Sequence, residues 1–107
     1  MDMREYQALA QRTSSTKSRI EKLTNGCLGL AGESGEVCDL LKKYLFQGHE
    51  LDREKMADEL GDVQWYVVET ALGLGFTLEE IAERNIAKLK RRYPQGFEVE
   101  RSVHRDE

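Results

Sequence analysis

A chain of 107 residues, 39% hydrophobic and 34% charged, is long enough for one domain with a modest core, and small enough that self-association adds burial a single copy lacks. Its formal net charge of −4 and pI near 5.3 argue against a nucleic-acid groove, which needs a basic face. No apolar run approaches the ~20 residues of a membrane span, and no leader-like or low-complexity tract is present, so the expected setting is the cytoplasm, without membrane or nucleic-acid partners.

A single proline and few β-branched runs predict an all-α fold, a bundle of four helices in one domain spanning 1–107. The first helix is expected from about Asp2 to Gln11, ending in the polar run Thr13, Ser14, Ser15 and Thr16. The second runs from about Lys17 to Phe46 and stops at Gly48. Its apolar stripe holds Ile20, Leu23, Cys27, Leu30, Val37, Leu41 and Leu45. Gly26, Gly29, Gly32 and Gly35 recur every third residue along it. Each costs about 1 kcal/mol relative to Ala in a helix interior, so another backbone, a metal shell or a ligand is expected close against them. Cys27 and Cys38 are 11 residues apart on one helix, too far to pair with each other, and read as buried thiols.

Asp52 is placed to cap the third helix, which extends to about Leu72 and is closed by Gly73 and Gly75. Its stripe holds Met56, Leu60, Val63, Val67, Ala71 and Leu74. Thr77 to Glu80 forms a capping box for the fourth helix, which ends at Pro94 and Gly96. Within it Asn85 falls near the centre of the stripe of Leu78, Ile81, Ala82 and Leu89, where an unpaired amide would cost about 1 to 3 kcal/mol. Lys88 and Arg92, near the stripe edge, fit a cationic fork for phosphate or simply snorkel from the core. A charged tail begins at about Phe97 and either docks on a neighbour or stays loose.

Two matching acid pairs stand out against this scaffold: Glu33 with Glu36, and Glu59 with Asp62. At 100° per residue each pair shares one helix face, and the two pairs sit at nearly equal offsets, roughly 80° and 140°, from their stripes in the same rotational sense. Antiparallel packing of the two helices would turn these edges toward each other. Four converging carboxylates need cations to stay ionised together, and hard oxygen donors select Mg²⁺ or Mn²⁺. Tyr66 falls on the side of Glu59, whereas Trp65 points away from the stripe; either aromatic can stack on a base or fill a helix contact. His49 and His104 stand outside any ligand spacing.

Three strings, Gly29-Leu-Ala-Gly-Glu-Ser-Gly-Glu-Val37, Glu59-Leu-Gly-Asp-Val-Gln-Trp-Tyr66 and Asn85-Ile-Ala-Lys-Leu-Lys-Arg-Arg-Tyr-Pro94, resemble the MazG-like nucleotide pyrophosphohydrolases. The resemblance implies a homodimer or homotetramer that cleaves a nucleoside triphosphate between α and β phosphates with Mg²⁺. It implies metal ligation by Glu33, Glu36, Glu59 and Asp62, and substrate contacts from Lys55, Asn85, Lys88 and Arg92. Gly32 stands where deoxypyrimidine-specific relatives often carry a further acid, which weakens a dUTPase or dCTPase reading. Phosphoribosyl-ATP pyrophosphohydrolase is a neighbouring alternative within the superfamily. A non-enzymatic helical module leaves the duplicated acids unexplained, and a di-iron bundle lacks its Glu-x-x-His.

Overall fold

The computed structural model, which describes residues 1–105, is built of helices: α1 (Met3–Gln11), α2 (Arg19–Phe46), α3 (Arg53–Leu74), α4 (Leu78–Arg92) and a short α5 (Val99–Val103). Asp2, Ser18, Asp52 and Thr77 cap the first four, each accepting from the backbone N–H three residues on. At Thr77 the reciprocal bond from Glu80 completes the capping box. Gly75, at φ +90°, turns the chain out of α3, and Phe76 N–H reaches back to Ala71 O at 2.9 Å. Gly73, expected to close this helix, lies inside it.

The fifth helix was not anticipated from the charged tail. Its Arg101 donates to the carbonyls of Arg92 (2.6 Å) and Arg91 (3.4 Å), satisfying acceptors left open at the end of α4. Asp106 and Glu107, the last residues of the expected tail, lie outside the described residues.

The α2–α3 antiparallel pair forms the body of the chain, and glycine sets how closely the two helices approach. A Cβ at Gly26 would fall 2.7 Å from the backbone nitrogen of Thr70, one at Gly73 would fall 2.6 Å from that of Leu23, and one at Gly29 would enter the Tyr66 ring. Gly32 and Gly35 meet nothing within 4 Å, so the expected crowding holds at only two of the four α2 glycines. A contrast follows for denaturation midpoints. Gly73→Ala should destabilise the chain by about 1 to 3 kcal/mol because backbone must move. Gly32→Ala should stabilise it by about 1 kcal/mol through helix propensity alone. Midpoints that shift in the same direction would refute this account of the helix contact.

Packing along glycine rotates α2 away from the expected arrangement. Leu23, Leu30 and Val37 are half-buried, but Ile20, Leu41 and Leu45 are exposed, as are both cysteines, so the expectation of buried thiols is corrected. The close line through Gly26 and Gly29 continues one turn on to Glu33, which turns the acid edge toward α3 and leaves much of the apolar stripe outside.

α1 lies across α3 and α4. The Trp65 indole N–H donates to Ala10 O (3.1 Å) and Thr13 Oγ1 (2.8 Å), and Leu78 N–H donates to Gln7 Oε1 (2.8 Å). Beneath α1 sits Glu69, wholly buried. Its carboxylate accepts from Gln11 Nε2, Ser14 Oγ, Thr16 Oγ1 and Asn25 Nδ2 at 3.0 to 3.1 Å, with Lys22 Nζ at 3.5 Å. Burial alone would raise its pKa, but these donors outweigh it and hold the group down at about 2.

Candidate active site

Because α2 and α3 run antiparallel on a close line, Glu33 from one meets Glu59 and Asp62 from the other. One carboxylate oxygen from each of the three lies within 4.8 Å of the others. Glu33 and Glu59 are half-buried and Asp62 is exposed, so the trio opens to solvent on one side. The Glu33 pKa is raised, first by its hydrogen bond with Glu59, then by desolvation and by the charges of Asp62, Glu59 and Glu36. Glu36 lies outside the trio but near enough for its charge to reach both Glu33 and Lys43.

The donor set fits a hard divalent cation. Oxygen ligands at about 2.1 Å from Mg²⁺ stand about 3 to 4 Å from one another, so a small inward movement of the three acids would bring them to ligating distance. A cation there would remove the repulsion that raises the Glu33 pKa.

Two further groups feel the acids electrostatically, and only one of them left a signal in the sequence. The Tyr6 phenol of α1 is raised in pKa, first by burial and then by the charge of Asp62. Lys43 pairs with Asp39 at 2.9 Å on the turn after Glu36. The i, i+4 spacing of Asp39 and Lys43 was a readable signal for the ion pair; nothing local marked Tyr6, which arrives through the docking of α1.

The remaining candidates fall elsewhere. Lys55 is exposed in the first turn of α3, its backbone N–H on the Asp52 cap. Asn85 and Lys88 line an open hollow on α4 with Ile81, Arg84, Ala87 and Arg91, and none of the four acids lines it. Asn85 is exposed, which corrects the expectation that it faces the core. The first half of α4 packs through Leu78, Ile81 and Ala82, whereas further along Ile86 is about half exposed. Arg92 is half-buried. Tyr66 lies on Gly29 and makes an edge contact with Trp65 at 4.9 Å between ring centres.

Residues 21–97, which contain both acid pairs and the α4 residues, match the profile of the MazG nucleotide pyrophosphohydrolase domain. The chain belongs to this family. A curated protein similar to this chain, the Gene 37 protein of Mycobacterium phage L5, is 37% identical over 81 residues, covering 72% of this chain and 71% of that protein. No solved structure matches. The all-helical architecture agrees with the family's all-α fold, and the acid trio lies within the matched span of the MazG domain. No described helix is long and apolar enough to cross a membrane.

Proposed function

We propose that this MazG domain hydrolyses a nucleoside triphosphate between the α and β phosphates, giving nucleoside monophosphate and pyrophosphate, in house-cleaning of the nucleotide pool. The observation that carries this reading is the convergence of Glu33, Glu59 and Asp62 from two helices within 4.8 Å. Those residues would hold Mg²⁺ or Mn²⁺, with Glu36 completing the set from its place beside Glu33. When bound, the cation supplies charge neutralisation for the phosphates and acidifies the attacking water.

The chain's own residues do the rest. Net acidity in the trio favours a cation-neutralised polyphosphate over a free anion. Lys88 and Arg92 on α4, with Lys55 at the start of α3, are assigned to the phosphates and Asn85 to a hydrogen bond with the nucleoside on the strength of the family resemblance, since the α4 hollow is not lined by the acids. Water attacks the α-phosphorus, the bond to the bridging oxygen breaks toward pyrophosphate, and a carboxylate of the cluster takes the proton. Trp65, bonded to Ala10 and Thr13, and Tyr66, packed on Gly29, are assigned to holding α1 and α2 on α3 and not to base stacking.

Nucleotide triphosphates and phosphoribosyl-ATP, incubated with the chain and Mg²⁺, test the proposal by product identity. Monophosphate and pyrophosphate in equal amounts are expected from a triphosphate. Diphosphate and orthophosphate as primary products would overturn the cleavage position, and preferential turnover of phosphoribosyl-ATP would replace the substrate assignment.

A further inference from the structure

We infer that Lys43 is a further phosphate-binding residue of the candidate active site, leaving Asp39 to meet the β and γ phosphates of a polyphosphate whose α phosphate lies at the acid trio. This rests on the hydrolase reading above and adds to it the direction in which the phosphates run.

The close contact between α2 and α3 fixes their register. Gly26 lies against Thr70, Gly29 against Tyr66 and Leu23 against Gly73, so each step up α2 matches a step down α3. On that register Glu33 and Glu36 stand opposite Asp62 and Glu59, and Lys43 stands opposite the start of α3, whose first turn carries Lys55. Both lysines therefore lie beyond the same end of the acid cluster. They also share its face. At 100° per residue Lys43 is about 20° from Glu36, and Lys55 is about 40° from Glu59 on the side of Asp62.

Lys43 stands about 10 Å along α2 from Glu36, but a long helical side chain leans toward the N-terminus of its helix and so back toward the acids. Its bond to Asp39, one turn nearer Glu36, shows that lean. The residue is half-buried, and the charge of Glu36 reaches it. A polyphosphate laid along this edge would have its metal-binding end at the carboxylates and an ammonium group at the other.

Asp39 makes the lysine available. Two lysines share this one carboxylate, Lys43 at 2.9 Å and Lys42 at 3.4 Å, so Lys43 can depart without stranding the acid. A solvent-exposed ion pair is weak, and a phosphate group is a stronger acceptor for the released ammonium. Lys42 cannot take the same part. It falls about 120° from Glu36 around the helix, which makes it an internal control for charge alone.

The test is calorimetric titration of the full chain with inorganic tripolyphosphate in saturating Mg²⁺, which reads the phosphate contact without nucleoside or turnover. Lys43→Ala should weaken this binding about tenfold, as expected for loss of one charged hydrogen bond. Lys43→Arg and Lys42→Ala should stay near the parent. Affinity for a nucleoside monophosphate with Mg²⁺ should not change in Lys43→Ala, because no β or γ phosphate is there to meet. A lysine that serves only the dipole at the C-terminus of α2 would lower the melting temperature in Lys43→Ala and leave tripolyphosphate binding alone. That result, an equal loss in Lys42→Ala, an equal loss for the monophosphate, or a parent that does not bind tripolyphosphate would each overturn the inference. A parent that binds tripolyphosphate through Lys43 yet releases no monophosphate and pyrophosphate from a triphosphate would overturn the hydrolase reading and leave the phosphate contact standing.

Discussion

Glu59→Gln is expected to abolish triphosphate hydrolysis while leaving the helical circular dichroism unchanged. The substitution keeps the shape of the side chain and removes one negative charge from a trio whose carboxylates lie within 4.8 Å. Residues that merely support a metal ligand cost roughly 10- to 100-fold when changed, so loss of a ligand itself should reach at least the top of that range. Stabilisation by added Mg²⁺ should disappear with activity, since a cation that binds only the folded chain raises its melting temperature by mass action. Turnover at the parent rate would remove Glu59 from the mechanism.

The same cluster predicts a pH trend in the parent chain without metal. The Glu33 pKa is raised in the folded state, chiefly by Glu59. Through the window between its unfolded and folded values the folded chain holds the proton more tightly, so stability should rise as pH falls through that window. Saturating Mg²⁺ should flatten the trend, because the cation takes over from the proton in neutralising the acids.

The largest effect on stability is expected at Glu69. Glu69→Ala would leave Gln11, Ser14, Thr16, Asn25 and Lys22 facing a void instead of a carboxylate. Breaking one side of a buried charged pair costs about 3 to 5 kcal/mol. Against a total of about 5 to 15 kcal/mol for a typical domain, that is a large fraction of what holds the chain folded. Hydrogen exchange should accelerate first in α1 and residues 12–18, the parts that Glu69 ties to α3. The pH dependence has a definite sign: with a folded pKa of about 2 against an ordinary 4.5, the contribution is complete above the unfolded value and lost as pH falls through about 2. A denaturation midpoint near that of the parent would show that the network is dispensable.

Much of this protein could be read along one dimension. The caps at Asp52 and Thr77, the ends of the first four helices within a residue or two, and the i, i+3 acid pairs are local patterns, because helix capping and periodicity depend on neighbours within a turn or so. Equal rotational offsets allowed the two acid edges to face each other if both stripes shared a core; Glu33, Glu59 and Asp62 do meet, but along the glycine line and not over a core shared by the α2 stripe. Only the tertiary structure decided which side of α2 is covered. Hydrophobicity pointed to the stripe of Ile20, Leu23, Cys27, Leu30, Val37, Leu41 and Leu45, of which only Leu23, Leu30 and Val37 are half-buried, because the closest helix contact follows Gly26, Gly29 and Gly73, where the absence of a side chain lets backbones meet. Glu69 and Tyr6 were invisible for a related reason: their partners stand more than forty residues away, and no local spacing encodes a contact made only when α1 folds back over α3.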